Sequence, residues 1–342
     1  MKQNRVVAMP LAVLAVVAVG VVLKAAQSVI LPLVIAWLLS YIFGPVVSAL
    51  TRRRIPISVA VTIVVLLLLG IGYVIAMFLN ERVVAFVKEY PKYEAKLQQV
   101  IAILVEQWNL DYNPFADIPW PEKVGGFLLR LSGSLFGFLT KMVMVIIFLV
   151  FMLLGKPYFL FKVRGAFEAP EAERIENILR SISSELGHYL SMQFLISLST
   201  GLLVWLTLLL IGVDFAATWG AAAFVLNFVP TIGSILASIP PVLIALVEFY
   251  PNVAPALITM AVLLGIQMTI GNVIAPKVMG DKLNLSPVVI LLSLVFWGWL
   301  WGPIGALLSV PIASAIKIFC ANIEPLRPIS IMMGSGRRYA RT

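Results

Sequence analysis

The chain has 342 residues, 61% of them hydrophobic and only 12% charged, with 25 basic and 16 acidic side chains and a formal net charge of +9. A soluble domain carries about 25% charged residues, whereas this chain has a mean hydropathy of +1.03. A soluble enzyme, a disordered chain and a disulfide scaffold are excluded, and a multi-span membrane protein remains.

Cys320 is the single cysteine, so no internal disulfide forms. His188 is the single histidine, which removes a multi-histidine metal site. No nucleophile elbow, HExxH, Walker loop or dinucleotide fingerprint occurs. No catalytic residue, cofactor or metal is therefore expected. The positive charge reads as basic cytoplasmic loops rather than as a nucleic-acid partner.

A helix needs about 20 apolar residues to cross the bilayer. Arg5 to Lys24 encloses 18 uncharged residues, Lys24 to Arg52 encloses 27, and Arg54 to Glu81 encloses 26. Three spans are expected in 1–79, near 6–23, 27–50 and 57–79. Residues 80–130 then hold seven acids and six bases. Val83, Val87, Tyr90, Leu97, Ile101, Leu104 and Trp108 recur there at helical spacing, which predicts a helical extramembrane insert. The run 111–123 reads as an irregular linker.

A fourth span is expected at 131–154, with Lys141 as its only charge. Segment 155–189 carries an apolar stripe of Ile175, Ile178, Leu179, Ile182, Leu186 and Tyr189 opposite Glu171, Arg174, Arg180 and Glu185. That pattern predicts an amphipathic helix lying on the membrane surface, with His188 interfacial at its end. Basic residues place the N-terminus, 155–189 and the 324–342 tail in the cytoplasm and the 80–130 insert in the periplasm.

Residues 190–323 are almost wholly apolar and form the expected transport core. Two stretches are broken by proline and glycine, PTIGSILASIP at 230–240 and PIGALLSVP at 303–311, and without Thr231 and Ala237 they align along their length. Proline removes a backbone donor and clashes with the preceding turn. Freed backbone groups survive in the membrane only where protein or a wet cavity meets them. Matching breaks in two halves mark a transporter site near the midplane.

Asp214 to Glu248 encloses 33 residues and Lys282 to Lys317 encloses 34, long for one span and short for two. The expected fold is all-α and polytopic, with about six full spans plus two opposed re-entrant helical hairpins; eight spans is the alternative. The hairpin arrangement places Lys277 and Lys282 on the cytoplasmic side.

The segments YLSMQFLISLSTG (189–201), NFVPTIGSILASIPP (227–241) and GNVIAPKVMGDKLNLSPVVILLSLVFWGWLWGPIGALLSVP (271–311) resemble the hallmark segments of the autoinducer-2 exporter family of bacterial transporters. The resemblance implies a multi-pass inner-membrane homo-oligomer, with a ring as one arrangement. It also implies export of the quorum-sensing signal autoinducer-2 in some members and sodium(lithium)/proton antiport in others.

A small uncharged, hydroxyl-rich solute needs hydrogen-bond partners with little charge. The candidate pathway is Asn227, Pro230, Thr231, Gly233, Ser234 and Ser238 at the first break, Pro303, Gly305 and Ser309 at the second, and Gln267 and Asn272 between them. Interhelical hydrogen bonding is the plainer role for the polar members. Asp214 and Glu248 are the candidates for ion coupling, although they bound their segments as interfacial anchors do. Trp297, Trp299 and Trp301 cannot share one helix face, and Gly133–Gly137 and Gly298–Gly302 have the spacing of close helix contacts. The expected function is export of a small polar solute by alternating access, in contact with the lipid bilayer. A sodium/proton antiporter is the alternative, and a non-transporting membrane scaffold the second alternative.

Overall fold

The computed structural model describes residues 14, 18–107, 120–229, 232–279 and 285–335. Residues 18–25 are helical and lead towards α1 (Gln27–Arg52). There follow α2 (Ile57–Gln107), α3 (Trp120–Ala166) and α4 (Ala169–Ile211), then the short α5 (Ala216–Leu226) and α6 (Ile232–Phe249). α7 (Ala254–Thr269) runs through a π-helical turn (Ile270–Ile274) into α8 (Ala275–Met279). α9 (Pro287–Ala321), a 3-10 turn (Glu324–Leu326) and α10 (Arg327–Met332) close the chain. Among the described residues no strand forms, and the one isolated bridge joins Leu285 to Gly334.

Among the described residues seven helical stretches are long and apolar enough to cross a membrane, α7 to α8 counting as one (Ala254–Val278), which makes the chain an all-helical polytopic membrane protein. The expected first span, 6–23, lies largely outside the described residues, as does most of the 111–123 linker. The linker's end is helical, because α3 begins at Trp120. The third apolar stretch and the insert share one helix, since α2 runs for 51 residues with Pro91 inside it. Likewise 155–189 is not one surface helix. α3 continues to Ala166, a two-residue turn follows, and α4 begins at Ala169 with Pro170 and Glu171 in its first turn, residues that suit a helix start.

The chain divides into two compact units, 1–65, 140–191 and 281–342 forming one, and 66–139 and 192–280 the other. In the first, Leu31, Leu300, Trp301 and Ile312 pack together, as do Ile182, Leu186, Ala315 and Ile318 with Trp37 and Tyr41 alongside. Ile182, Leu186 and Tyr189 of the amphipathic stripe are thus buried against protein. In the second, α4 to α7 supply Val204, Leu208, Ala223, Ala237, Ala245, Ala256 and Leu263 to one core.

Each unit contains one helical hairpin, and in both the turn falls earlier than the spread of prolines suggests. α5 ends at Leu226 and α6 begins at Ile232, while Pro240 and Pro241 stay inside α6. α9 breaks at Gly302, with φ 68 and ψ −152, while Pro303 and Pro311 stay helical. That φ/ψ is open essentially to glycine alone, and Pro303 suits the first position of the second arm because its missing N–H is not needed there. A Cβ on Gly298 would lie 3.7 Å from the Ala306 Cβ. Eight residues of unbroken helix would separate those positions by about 12 Å, so the two arms fold back on each other.

The π-helical turn has a local cause. Pro276 would drive its ring into the carbonyl four residues earlier, that of Asn272, and the helix widens to five-residue spacing over Ile270–Ile274.

Candidate functional site

The first hairpin's turn carries a neutral polar cluster. Asn227 caps the C-terminus of α5 and faces α4, where Gln193 and Ser197 stand one helical turn apart. Gln193 Nε2 donates to the Asn227 carbonyl at 2.8 Å and lies 3.4 Å from Ser197 Oγ, to which Asn227 Nδ2 donates at 3.1 Å. Gln193 and Ser197 are buried. Both side-chain amide oxygens and the serine proton keep hydrogen-bonding capacity. With the second N–H of Asn227 Nδ2, the cluster can therefore accept at two amide oxygens and donate from two groups without any formal charge.

Asn227 is the predicted pathway residue that the fold joins to others. Gln193 and Ser197 went unselected, although they lie in the 189–201 motif. Their i, i+4 spacing was the available signal, and only the turn of the hairpin gave it a target. Pro230 and Thr231 lie outside the described residues. Ser238 Oγ donates to the Ser234 carbonyl at 2.9 Å, a bond inside α6. Gln267 is half-buried and Asn272 exposed. In the other unit, Ser309 is fully buried and donates to the Ala306 carbonyl at 2.7 Å, and Pro303 is exposed.

Gly233 and Gly305 hold corresponding places in the two hairpins. A Cβ at Gly233 would sit 1.8 Å from the Leu226 carbonyl oxygen, and one at Gly305 would sit 1.9 Å from that of Trp297. In each, the second arm's glycine lets its backbone press on the end of the first arm. A further close crossing joins Gly201 of α4 to Gly220 of α5, where a Cβ on either would lie 2.8 Å from the other's oxygen. The GxxxG spacing at 298–302 does not serve as a helix–helix stripe: Gly302 is the break itself. Trp301 is buried and donates to the Leu23 carbonyl at 3.3 Å, whereas Trp299 is exposed beneath the Lys24 ammonium at 4.2 Å.

Asp214 and Glu248 meet at the base of the first hairpin. The Asp214 backbone N–H donates to Glu248 Oε2 at 3.0 Å, so two residues 34 positions apart in the chain touch. Three residues of α2 join them. Tyr93 donates its hydroxyl to Asp214 Oδ2, Lys92 Nζ lies 3.5 Å from the same oxygen, and Lys96 Nζ donates to the Glu248 carbonyl at 2.7 Å. Burial and the Asp214 hydrogen bond push the Tyr93 phenol well above its ordinary range, so it stays a donor at any physiological pH. Lys92, Tyr93 and Lys96 belong to the part of α2 beyond its apolar stretch, Ile57–Phe78. The second hairpin is closed differently: Ser286 N–H donates to the Met333 carbonyl at 2.9 Å beside the Leu285–Gly334 bridge.

A third acid, not singled out from the sequence, braces the turn between α3 and α4. Glu176 is buried between two guanidiniums, accepting from Arg164 Nε and Nη2 at 3.2 and 2.8 Å and from Arg180 Nη2. The Arg164 bonds foremost, then Arg180, hold its carboxyl below the ordinary range.

Membrane-length helices and two broken helical hairpins define a multi-pass membrane protein. Residues 10–324 match the model of the AI-2E family transporters, and the chain belongs to that family. AI-2 transport protein TqsA of Escherichia coli (strain K12) is 32% identical over 319 residues, covering 91% of each chain. YhhT of the same organism is 34% identical over 340 residues, 97% of this chain and 95% of its own. A protein of Borreliella burgdorferi is 34% identical over 311 residues, 91% of this chain and 86% of its own. The names of these last two suggest transport without saying what is carried.

Proposed function

We propose that the protein exports a small, polar, uncharged solute of the autoinducer-2 type across the bacterial inner membrane, by alternating access at its hairpins. The observation that carries this reading is the Gln193–Ser197–Asn227 cluster, a set of neutral acceptors and donors suited to a hydroxyl-rich molecule. The similarity to TqsA supports the solute class. α5, with 11 residues, is about 16 Å long and too short to cross. We therefore take 215–247 and 283–316 as re-entrant, with both termini cytoplasmic.

The test is efflux of autoinducer-2 from liposomes holding the purified full-length protein. Asn227→Ala and Gln193→Ala should each slow efflux at least about tenfold while the melting temperature stays close to wild type; unchanged efflux sinks the site. Cysteine placed at exposed Lys277 in a Cys320→Ala background should label from the cytoplasmic side, and periplasmic labelling sinks the topology.

The contact between Asp214 and Glu248 favours a second reading, sodium/proton antiport. Sodium uptake driven by a proton gradient in the same liposomes, abolished by Asp214→Asn while autoinducer-2 efflux is absent, would select it.

A further inference from the structure

The link between α1 and α2 is only four residues long, 53–56, and joins two helices of membrane-crossing length. It is therefore held where hydrocarbon gives way to head groups. Its approach and first half read Arg52, Arg53 and Arg54, all exposed. Acids are remote in sequence, since the first in the chain is Glu81. Among the described residues none pairs with these guanidiniums, whereas Arg164, Arg180 and Lys92 each meet a carboxylate.

Backbone geometry adds an independent sign. Arg54 N–H donates to the Thr51 carbonyl at 3.0 Å and Ile55 N–H to the Leu50 carbonyl at 3.4 Å. Those two bonds make a Schellman cap, whose left-handed position is usually glycine. Here Arg54 occupies it, at φ 64. A side chain held in that region costs stability that glycine would recover. The backbone at this position therefore favours glycine over arginine.

We propose that the Arg52–Arg54 turn binds the phosphate of an anionic phospholipid head group. Guanidinium forks grip phosphate oxygens in pairs, and an arginine is the side chain suited to that geometry. A basic residue at the head-group level favours anionic lipid by about fivefold. The site needs no particular orientation of the chain and is independent of the solute carried.

Purified full-length protein in phosphatidylcholine vesicles, with dansyl-labelled phosphatidylglycerol as probe, reports the lipid by energy transfer from tryptophan. Unlabelled phosphatidylglycerol should compete far better than phosphatidylcholine. Arg54→Gly should cut that preference about fivefold while leaving the melting temperature equal or higher, and the triple Arg52→Gln, Arg53→Gln, Arg54→Gln variant should cut it further. Arg327→Gln, an exposed arginine elsewhere, should leave it intact. An undiminished preference in Arg54→Gly or in the triple variant overturns the proposal. So does inorganic phosphate that displaces the probe as readily as phosphatidylglycerol does, because the site would then hold a soluble anion.

Discussion

Replacing Gly305 by alanine tests the folded-back arms directly. The new methyl would stand 1.9 Å from the Trp297 carbonyl oxygen, where a carbon normally keeps about 3.3 Å. Both sides are backbone, so no flexible side chain can swing away, and the arms must part by about 1.4 Å. Overpacking of this kind costs up to about 3 kcal/mol, against about 1 kcal/mol regained from alanine's helix propensity. The net loss of about 2 kcal/mol shifts the folded-to-unfolded ratio by about thirtyfold. Gly233→Ala meets the Leu226 oxygen at 1.8 Å and should cost the same, as corresponding positions of a repeat require. Gly298→Ala is the control, because its methyl meets Ala306 at an ordinary 3.7 Å; it should be neutral or mildly stabilising. Thermal unfolding followed by tryptophan fluorescence, with solute efflux in parallel, reads all three. A Gly305→Ala protein as stable as the Gly298→Ala protein would refute the hairpin geometry.

Tyr93→Phe and Asp214→Asn should couple in a double-mutant cycle by about 1–2 kcal/mol, since the phenol donates to a charged acceptor; additive effects on unfolding would show that α2 does not hold the hairpin base. Glu176 has a lowered carboxyl pKa, so its stabilising effect is complete above the unfolded glutamate value of about 4.3 and is lost as pH falls through the lower folded value. Melting temperature against pH should therefore drop on the acid side in wild type and flatten in Glu176→Gln; identical profiles would remove the clasp from the stability account. Thr259 is fully buried and its hydroxyl has no partner among the described residues. Thr259→Val should raise stability by about 1 kcal/mol, and a fall in melting temperature would mean that the hydroxyl is in use.

Residue order alone determined the membrane class, the long helices and the two places where the chain must break. These follow from composition, from charge-free runs of about 20 residues and from proline and glycine chemistry, all local properties. Gly233 and Gly305 stand out in the sequence as pathway candidates beside the breaks, whereas their close approach to the Leu226 and Trp297 carbonyls exists only in the folded hairpins. Tertiary structure decided who meets whom. Gln193 and Ser197 gain a partner in Asn227 only when α5 turns back on α4. Asp214 and Glu248 sit at opposite ends of an apolar run, and only the hairpin makes them neighbours and commits them to Lys92, Tyr93 and Lys96. Glu176 looked like one charge among many until the two-residue turn between α3 and α4 set it between two arginines. Hydropathy is summed along the chain, but a hydrogen bond depends on distance in space, and that distance is fixed only once the helices have packed.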